Sequence, residues 1–514
     1  MKLNRKQYLN QLLGCWNGKN IGGTLGAPFE WLRQINDVDY YIQEMNGRPL
    51  PNDDLDLQLL WLLAMEEKGI DLSADILADY FNIYVTPHWA EYGICKANMK
   101  LGLNPPMCGY YNNIYRNSCG AYIRSEIWAC LCPGNPTLAA EFMYRDAIID
   151  HGGDSEGLYG AIFCVAMESA AFVEKDPERL VEIGLSYIPK DCGVARAIRY
   201  VIENVDKQDW CATRDGLLQH FRSQCVTQFC DDCVRKQCSD EDIKKGFDVG
   251  PEGWEAPVNV AIVVLGLLYG KGEFGKSICI AVNCGEDTDC TAATLGALLG
   301  ICYGDDAIEE KWKKGIGSEI VTACLDLGEI PGLGKGLPQT TEEMVARTEC
   351  LEQAVELRYT VPVSVDDEET DIDNTDFLTA TKYAYDWLYR NLFGPIYDFG
   401  NFKIMVDYFE GCEIRSGEER KVRIKIKNCY KLMEHVTVSL RFDDGVSVSP
   451  TQIFTLYIPQ WMTGRNTVSC EIGVSAEMLK SATLRGIAEI RVIGKCTTML
   501  VPIILINGDG NQNS

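Results

Sequence analysis

The stretch GCWNGKNIGGTLGAPFE, residues 14–30, decides how the first part of this chain folds. Its glycines recur every four residues and so share one helix face: Gly14, Gly18, Gly22 and Gly26. Each glycine costs a helix roughly 1 kcal/mol relative to alanine, so the close approach of another helix or of a ligand must offset the loss. After the Ala27-Pro28 turn the stretch presents an acid, Glu30, which tight helix packing alone does not explain.

Outward from this helix, residues 1–345 have the pattern of an all-α domain. Apolar residues recur at intervals of three and four in residues 55–63 and again in residues 158–166, as on the buried face of a helix. Glycine and proline clusters such as residues 133–136 separate these segments, as loops between helices do.

The pattern changes after residue 345. Residues 346–398 predict the rest of a helix that starts near Thr340, an acidic linker at residues 366–371 and a further helix. Residues 399–514 alternate apolar and polar side chains, which is typical of half-buried strands. The clearest alternating runs are 421–427, 436–442, 467–474 and 486–492. Short strands at regular spacing predict an immunoglobulin-like β-sandwich, which we interpret as an accessory domain.

Composition limits the classes of function. The chain has 514 residues and a net charge of -26, from 74 acidic and 48 basic side chains. Such a charge repels polyanions, which argues against nucleic acid as a partner, and it favours divalent cations where carboxylates converge. The first residues lack the apolar core of a secretory signal, and residues 256–270 are too short to span a membrane. We therefore expect a soluble, cytoplasmic protein with no membrane partner.

The chain has 23 cysteines, which without a secretory signal are expected to be reduced. One group has the spacing C-x4-C-x2-C-x4-C: Cys225, Cys230, Cys233 and Cys238. Four thiolates could hold zinc or an iron–sulfur cluster, but a zinc site usually pairs two short C-x2-C turns and only one is present. We favour ordinary cysteines over a structural metal here.

Two acidic segments carry metal-binding chemistry. Asp53 and Asp54 open an apolar-periodic segment, where an N-cap with favourable first-turn charge would account for only one of its several acids. Asp287 and Asp289 are two residues apart, as in loops that wrap hard cations. Carboxylate and hydroxyl oxygens suit Mg²⁺, Mn²⁺ or Ca²⁺. An EF-hand is excluded because no glutamate follows at the required distance.

Together these segments resemble the ADP-ribosylglycohydrolase family, which includes the dinitrogenase-reductase-activating glycohydrolases. The family's Gly-Ala-Pro-x-Glu is matched by residues 26–30. Its Thr-Asp-Asp-Thr is matched by residues 52–55, where only the two aspartates are retained, and its Gly-Gly-Asp-Thr-Asp-Thr by residues 285–290. The resemblance covers about the first two thirds of the chain, and the ordered set is more specific than any one motif.

The resemblance implies an all-α catalytic domain with two divalent ions, Mg²⁺ or Mn²⁺. Motif matching makes six residues the metal ligands: Asn52, Asp53, Asp54, Asp287, Asp289 and Cys290. Glu30 matches the family acid that binds metal or handles the attacking water, and Glu30, Asp53 and Asp54 would be catalytic. The implied reaction is hydrolysis of the glycosidic bond between ADP-ribose and an arginine, serine or similar acceptor, so the partner would be an ADP-ribosylated substrate or an ADP-ribose derivative.

Three further residues are candidates for substrate binding. Ser118 and Gly120 match a small-residue loop that the family places near the diphosphate, although an ordinary turn before a helix over 121–131 explains them equally well. His151 falls where the family often has a histidine in the nucleotide cleft, but a lone histidine is more often structural.

The chain also departs from the family pattern. Asn52 offers a carbonyl oxygen in place of a hydroxyl, while Cys290 offers a soft sulfur that Mg²⁺ binds poorly. Glu286 replaces a glycine and could be a compensating ligand. Two alternatives therefore stay open: the same fold and metals acting on a related nucleoside or sugar derivative, and a non-catalytic ADP-ribose-binding protein.

Overall fold

The computed structural model describes residues 1–30, 32–221, 240, 244, 253–326, 328 and 336–509. The chain divides into two compact units: unit 1 comprises residues 1–93 and 113–390, and unit 2 comprises residues 94–112 and 391–514. The cysteine group at 225–238 lies outside the described residues.

Unit 1 is helical, as the sequence predicts. The α-helices of the described chain are α1 (Arg5–Gly26), α2 (Asp53–Lys68), α3 (Ala74–Tyr84), α4 (Ala90–Lys100), α5 (Met107–Tyr110), α6 (Glu126–Cys130), α7 (Pro136–Ala147), α8 (Glu156–Ala171), α9 (Pro177–Ser186), α10 (Gly193–Asn204), α11 (Trp210–Phe221), α12 (Ala256–Gly270), α13 (Phe274–Asn283), α14 (Thr288–Tyr303), α15 (Glu310–Lys314), α16 (Thr341–Arg358) and α17 (Lys382–Leu388). Short 3₁₀ turns follow α1 at Ala27–Phe29 and precede α6 at Tyr122–Arg124. The expected helix over 121–131 is therefore a 3₁₀ turn followed by a short α-helix.

The centre of unit 1 is formed by helices that are buried on every side and consist mostly of apolar residues. Helix α14 is buried from Thr288 to Cys302, and α8 is buried from Gly157 to Ala171. A helix without a polar face is stable only when neighbours cover it all round. Helix α12 is equally apolar, yet within the described residues no helix is long and apolar enough to cross a membrane.

The glycine face of α1 packs against α14. A Cβ atom added at Gly18 would lie 2.1 Å from the carbonyl oxygen of Gly296, and one at Gly22 would lie 2.0 Å from that of Ala292. Gly14 meets Gly300 in the same way. The two helices therefore run antiparallel in backbone contact, and the spaced glycines are explained by this approach of a second helix.

Unit 1 also contains two short strands that the sequence pattern does not indicate. Strand β1 (Lys2–Asn4) pairs in parallel with β2 (Ser364–Asp366). The Lys2 ammonium lies 2.7 Å from the carboxylate of Glu368. The acidic stretch at 366–371 thus begins in a strand that is hydrogen-bonded to the chain's first residues.

Unit 2 contains the β-sandwich. Its strands are β3 (Ile396–Asp398), β4 (Phe402–Asp407), β5 (Glu413–Ile414), β6 (Glu419–Asn428), β7 (Glu434–Phe442), β8 (Val446–Ser449), β9 (Ile453–Ile458), β10 (Thr467–Ala476), β11 (Thr483–Val492) and β12 (Thr498–Asn507). They form two five-stranded sheets, ordered β3-β4-β6-β10-β8 and β5-β12-β11-β7-β9. All pairs are antiparallel except β5 with β12. Leu103, Met107 and Cys108 join its apolar core, which accounts for the place of residues 94–112 in this unit.

Candidate active site

The contact between α1 and α14 brings Glu30 to the two aspartates of the second acidic segment. The Thr288 hydroxyl at the start of α14 donates a hydrogen bond to the carbonyl oxygen of Gly26, at 2.8 Å. Just beyond this link, carboxylate oxygens of Glu30, Asp287 and Asp289 lie within 4.8 Å of one another. The helix pair therefore holds three acids from two segments far apart in the sequence in one place.

Helix α2 supplies the other two acids. Asn52 is its N-cap, and the side-chain oxygen of Asn52 accepts the backbone N–H of Asp54 at 2.8 Å. Asp54 is fully buried, and an oxygen of its carboxylate lies within 4.8 Å of ligand atoms of Asp289 and Cys290. The N-cap of α2 thus orients its first turn toward the start of α14.

All of these acids except Asp54 line a cavity of about 310 Å³ in unit 1. The described residues of its wall are Glu30, Asp53, Trp89, Ala90, Glu91, Tyr92, Cys119, Gly120, Ile123, Trp254, Asp287, Asp289 and Cys290. The wall includes five acids and three aromatic residues. The volume lies at the lower end of the range for small-molecule sites, about 300–1,000 Å³.

The carboxyl groups of the cavity hold their protons more tightly than isolated acids do. Burial, followed by the charge of Asp54, raises the pKa of Asp53 to about 7. Burial also raises the pKa of Asp287 and of Glu30, and in both cases the charge of Asp289 is the next cause. Because each ionised acid opposes ionisation of the next, divalent cations bound among them would restore the charged forms.

A buried lysine that the sequence analysis missed lies behind the acids. Lys19, on α1, is fully buried and donates a hydrogen bond to Glu126 at 2.7 Å. Its ammonium nitrogen is 3.8 Å from the Asp54 carboxylate. Gln58 holds the other oxygen of Glu126 at 2.8 Å. Lys19 therefore offsets part of the negative charge of Asp54 and Glu126. Its position within the glycine-spaced helix was the available signal.

A cysteine that the sequence analysis missed adds a second thiol. Cys119 lies between Ser118 and Gly120 and lines the cavity. Its sulfur, the sulfur of Cys290 and a carboxylate oxygen of Asp287 lie within 4.8 Å of one another. Cys290 belongs to this group as well as to the group with Asp54 and Asp289, so it lies between the two.

Of the three predicted substrate-binding residues, one lines the cavity in the structure and two do not. Gly120 lines the cavity, where a Cβ added to it would lie 2.0 Å from a carboxylate oxygen of Glu91. Ser118 and His151 are buried and are not among the described residues of the cavity wall. The Nδ1 atom of His151 is 2.9 Å from the carbonyl oxygen of Arg116. Their part in substrate binding stays a prediction.

Glu286 lies apart from the four-aspartate group. It is fully buried with φ of 70°, and its carboxylate is 3.5 Å from the guanidinium of Arg33, which is also buried. The left-handed backbone at this position is one that glycine adopts without strain. The structure therefore shows an ion pair for Glu286, where the sequence suggested a compensating metal ligand.

A predominantly helical unit with converging buried acids at a cavity is typical of an enzyme site that binds cations. The family model described as ADP-ribosylglycohydrolase matches residues 4–343. The chain therefore belongs to the ADP-ribosylglycohydrolase family, whose name describes hydrolases of glycosidic bonds to ADP-ribose. The matched residues include every acid of the cavity wall.

The other comparisons add little to this assignment. No curated protein matches the chain. Among solved structures, the crystal structure of a FixG-related protein from Vibrio parahaemolyticus matches 21% of this chain and 94% of its own, at 14% identity and a TM-score of 0.16. That likeness is too weak to bear on fold or function.

Proposed function

We propose that the chain is a divalent-metal-dependent hydrolase that cleaves the glycosidic bond between ADP-ribose and an acceptor. The observation that supports the proposal is the convergence of acids at one cavity: Glu30, Asp53, Asp287 and Asp289 line its wall. Asp54 is buried within 4.8 Å of Asp289. Family membership supplies the glycohydrolase chemistry, and the cavity supplies the place where a ribosyl group would meet the acids.

The acids fit Mg²⁺ or Mn²⁺ because several of their buried oxygens accept no hydrogen bond. Oδ1 of Asp54, Oδ2 of Asp287 and Oδ1 of Asp289 are in this state, while Oδ2 of Asp54 has the Lys19 ammonium 3.8 Å away. A buried polar atom without a partner is costly, by about 1–3 kcal/mol and more when charged. Carboxylate and water oxygens are the ligands that Mg²⁺ and Mn²⁺ prefer, and Ca²⁺ takes six to eight oxygen ligands of the same kind. We infer that Asp53, Asp54, Asp287 and Asp289 hold two such ions.

Asn52 and Cys290, the remaining predicted ligands, differ in the donor that each can offer to an ion. The Asn52 oxygen already accepts the Asp54 N–H, which leaves it one lone pair for a metal. Cys290 lies within the ligand groups themselves. When bound, the ions would polarise ribose oxygens and lower the pKa of water.

The chain's own residues would divide the remaining tasks. Glu30 lines the cavity, and burial together with the charges of Asp289 and Asp287 raises its pKa, so it can hold a proton taken from the attacking water. Trp89, Tyr92 and Trp254 are the aromatic residues of the wall and could stack on the base or ribose of the substrate.

The direct test offers ADP-ribosyl-arginine, ADP-ribosyl-serine and nucleoside-diphosphate sugars to the full chain, with Mg²⁺ or Mn²⁺, and measures release of ADP-ribose or of the sugar. We expect release of ADP-ribose that EDTA abolishes and that Asp289→Asn and Glu30→Gln each reduce by at least about 100-fold. Asp75→Asn is the matched control, because Asp75 is also in the first turn of a helix but does not line the cavity.

Two results would contradict the proposal. Binding of ADP-ribose without turnover of any substrate would show a binding protein. Turnover of only the nucleoside-diphosphate sugars would retain a hydrolase but change its substrate.

A further inference from the structure

Two thiols meet on the cavity wall from positions distant in sequence. Cys119 comes from the loop before the 3₁₀ turn Tyr122–Arg124, and Cys290 comes from the first turn of α14. Both are free cysteines, and both sulfurs share the 4.8 Å group with an oxygen of Asp287. Two sulfur atoms bound to one tetrahedral zinc ion are roughly 3.8 Å apart, so small side-chain movements would complete the geometry.

A second observation indicates that this group awaits a ligand. Asp287 is only 2% exposed, and its buried Oδ2 atom accepts no hydrogen bond. The same is true of the Oδ1 atom of Asp289, beside Cys290. The site therefore combines hard donors, the carboxylate oxygens, with soft donors, the two thiols. All of these residues line the cavity, from which water could reach a bound ion.

We propose that Cys119, Asp287 and Cys290 bind a thiophilic divalent ion such as Zn²⁺, so that the site holds an unequal pair of metals. This inference rests on the proposed hydrolase site, because it assigns one of its two metal positions. Thiolates select zinc and similar ions, whereas oxygen-only sets suit Mg²⁺ and Mn²⁺. The oxygen set of Glu30, Asp53, Asp54 and Asp289 would keep the harder ion.

The binding step is balanced by protons alone. Each thiol that becomes a ligand loses its proton to solvent, and no oxidant or reductant is needed. Oxidation of Cys119 and Cys290 to a disulfide would consume the same sulfur atoms, so the reduced protein is the form to test.

The test titrates the reduced, metal-free full chain with Co²⁺ and Cd²⁺. Co²⁺ is followed by its sulfur-to-cobalt charge-transfer absorption, and Cd²⁺ by equilibrium dialysis. The variants are Cys290→Thr, which restores a hydroxyl, and the double variant Cys119→Ala with Cys290→Ala. Cys302→Ala is the matched control, because Cys302 is a buried thiol on the same helix. The cysteines at 225–238 are present in every form, so their contribution cancels in the differences.

We expect the wild type to bind one more Cd²⁺ per chain than the double variant, with the charge-transfer band reduced to match. Loss of one sulfur in Cys290→Thr should weaken Cd²⁺ binding by at least about tenfold, as even losses outside the ligand shell do, and Cys302→Ala should match the wild type. Circular dichroism checks that each variant is folded.

Equal Cd²⁺ stoichiometry and equal cobalt spectra in the wild type and the folded variants would overturn the inference. If Mg²⁺-dependent hydrolysis of ADP-ribosyl substrates persists in that case, the proposed function stands without it. A cadmium difference in a protein that hydrolyses no substrate with any metal would instead overturn the proposed function and leave the thiol site.

Discussion

Replacing Gly22 by alanine puts a methyl group where helices α1 and α14 are in backbone contact. The added Cβ would lie 2.0 Å from the carbonyl oxygen of Ala292, about 1.4 Å short of the 3.4 Å at which ordinary contact begins. The obstacle is backbone, so no rotamer change relieves it. The helices must separate by about this distance near the end that carries Glu30.

Two opposing effects set the size of the stability change. Alanine favours the helix over glycine by about 1 kcal/mol, whereas overpacking a well-filled core costs about 1–3 kcal/mol. Since a backbone clash lies at the upper end of that range, we expect Gly22→Ala to lower the free energy of unfolding by about 2 kcal/mol. Activity should fall further, because a misplacement of about 1 Å in a reacting group can cost roughly 100-fold.

The assay combines calorimetric unfolding with the rate of ADP-ribose release. Gly160→Ala is the control, because this glycine is also in a buried helix but its added Cβ would meet side-chain methyl groups of Val260 and Ala256 at 3.2 and 3.3 Å. The control should change stability by less than about 1 kcal/mol and keep its activity. If Gly22→Ala is as stable and active as Gly160→Ala, the helix contact does not position the acids and the reasoning is wrong.

Two further substitutions test the buried charges. Lys19→Met leaves Glu126 and Asp54 buried without their cation, and we expect urea unfolding to show that the free energy of unfolding falls by about 3–5 kcal/mol. If adding Glu126→Gln to this variant does not reduce the loss, the pairing of Lys19 with Glu126 is contradicted. Burial, and then the charge of Glu356, raises the pKa of Glu352 to about 9, so the stability of the wild type should fall as pH rises from about 4.3 toward that value. Glu352→Gln should therefore gain stability relative to the wild type, by up to about 1.4 kcal/mol per pH unit across that window, and a difference that does not change with pH would contradict the burial argument.

The sequence predicts much of the site because its signals are local. Glycine spacing in α1 requires a close neighbour, and the structure shows that this neighbour is the helix that follows Asp287. Alternation of apolar and polar residues likewise predicts the long strands, as in β6, whose buried apolar positions are Val422, Ile424 and Ile426. In each case one segment contains the whole pattern.

Features made by contact between distant segments were not predictable in the same way. Cys119 meets Cys290 only when the chain folds, and nothing near Cys119 distinguishes its thiol from other core cysteines. Strand β2 forms within an acidic stretch because its backbone pairs with β1. The polarity of its side chains does not indicate that pairing. His151 matched a family position, but its ring is enclosed near Arg116.

The central claim is that the cavity acids bind divalent cations, and anomalous X-ray scattering from crystals grown with Mn²⁺ tests it directly. We predict anomalous density among Glu30, Asp53, Asp54, Asp287 and Asp289, and its loss in crystals of Asp289→Asn. Crystals that diffract well at saturating Mn²⁺ but show no anomalous density in this cavity would contradict the account.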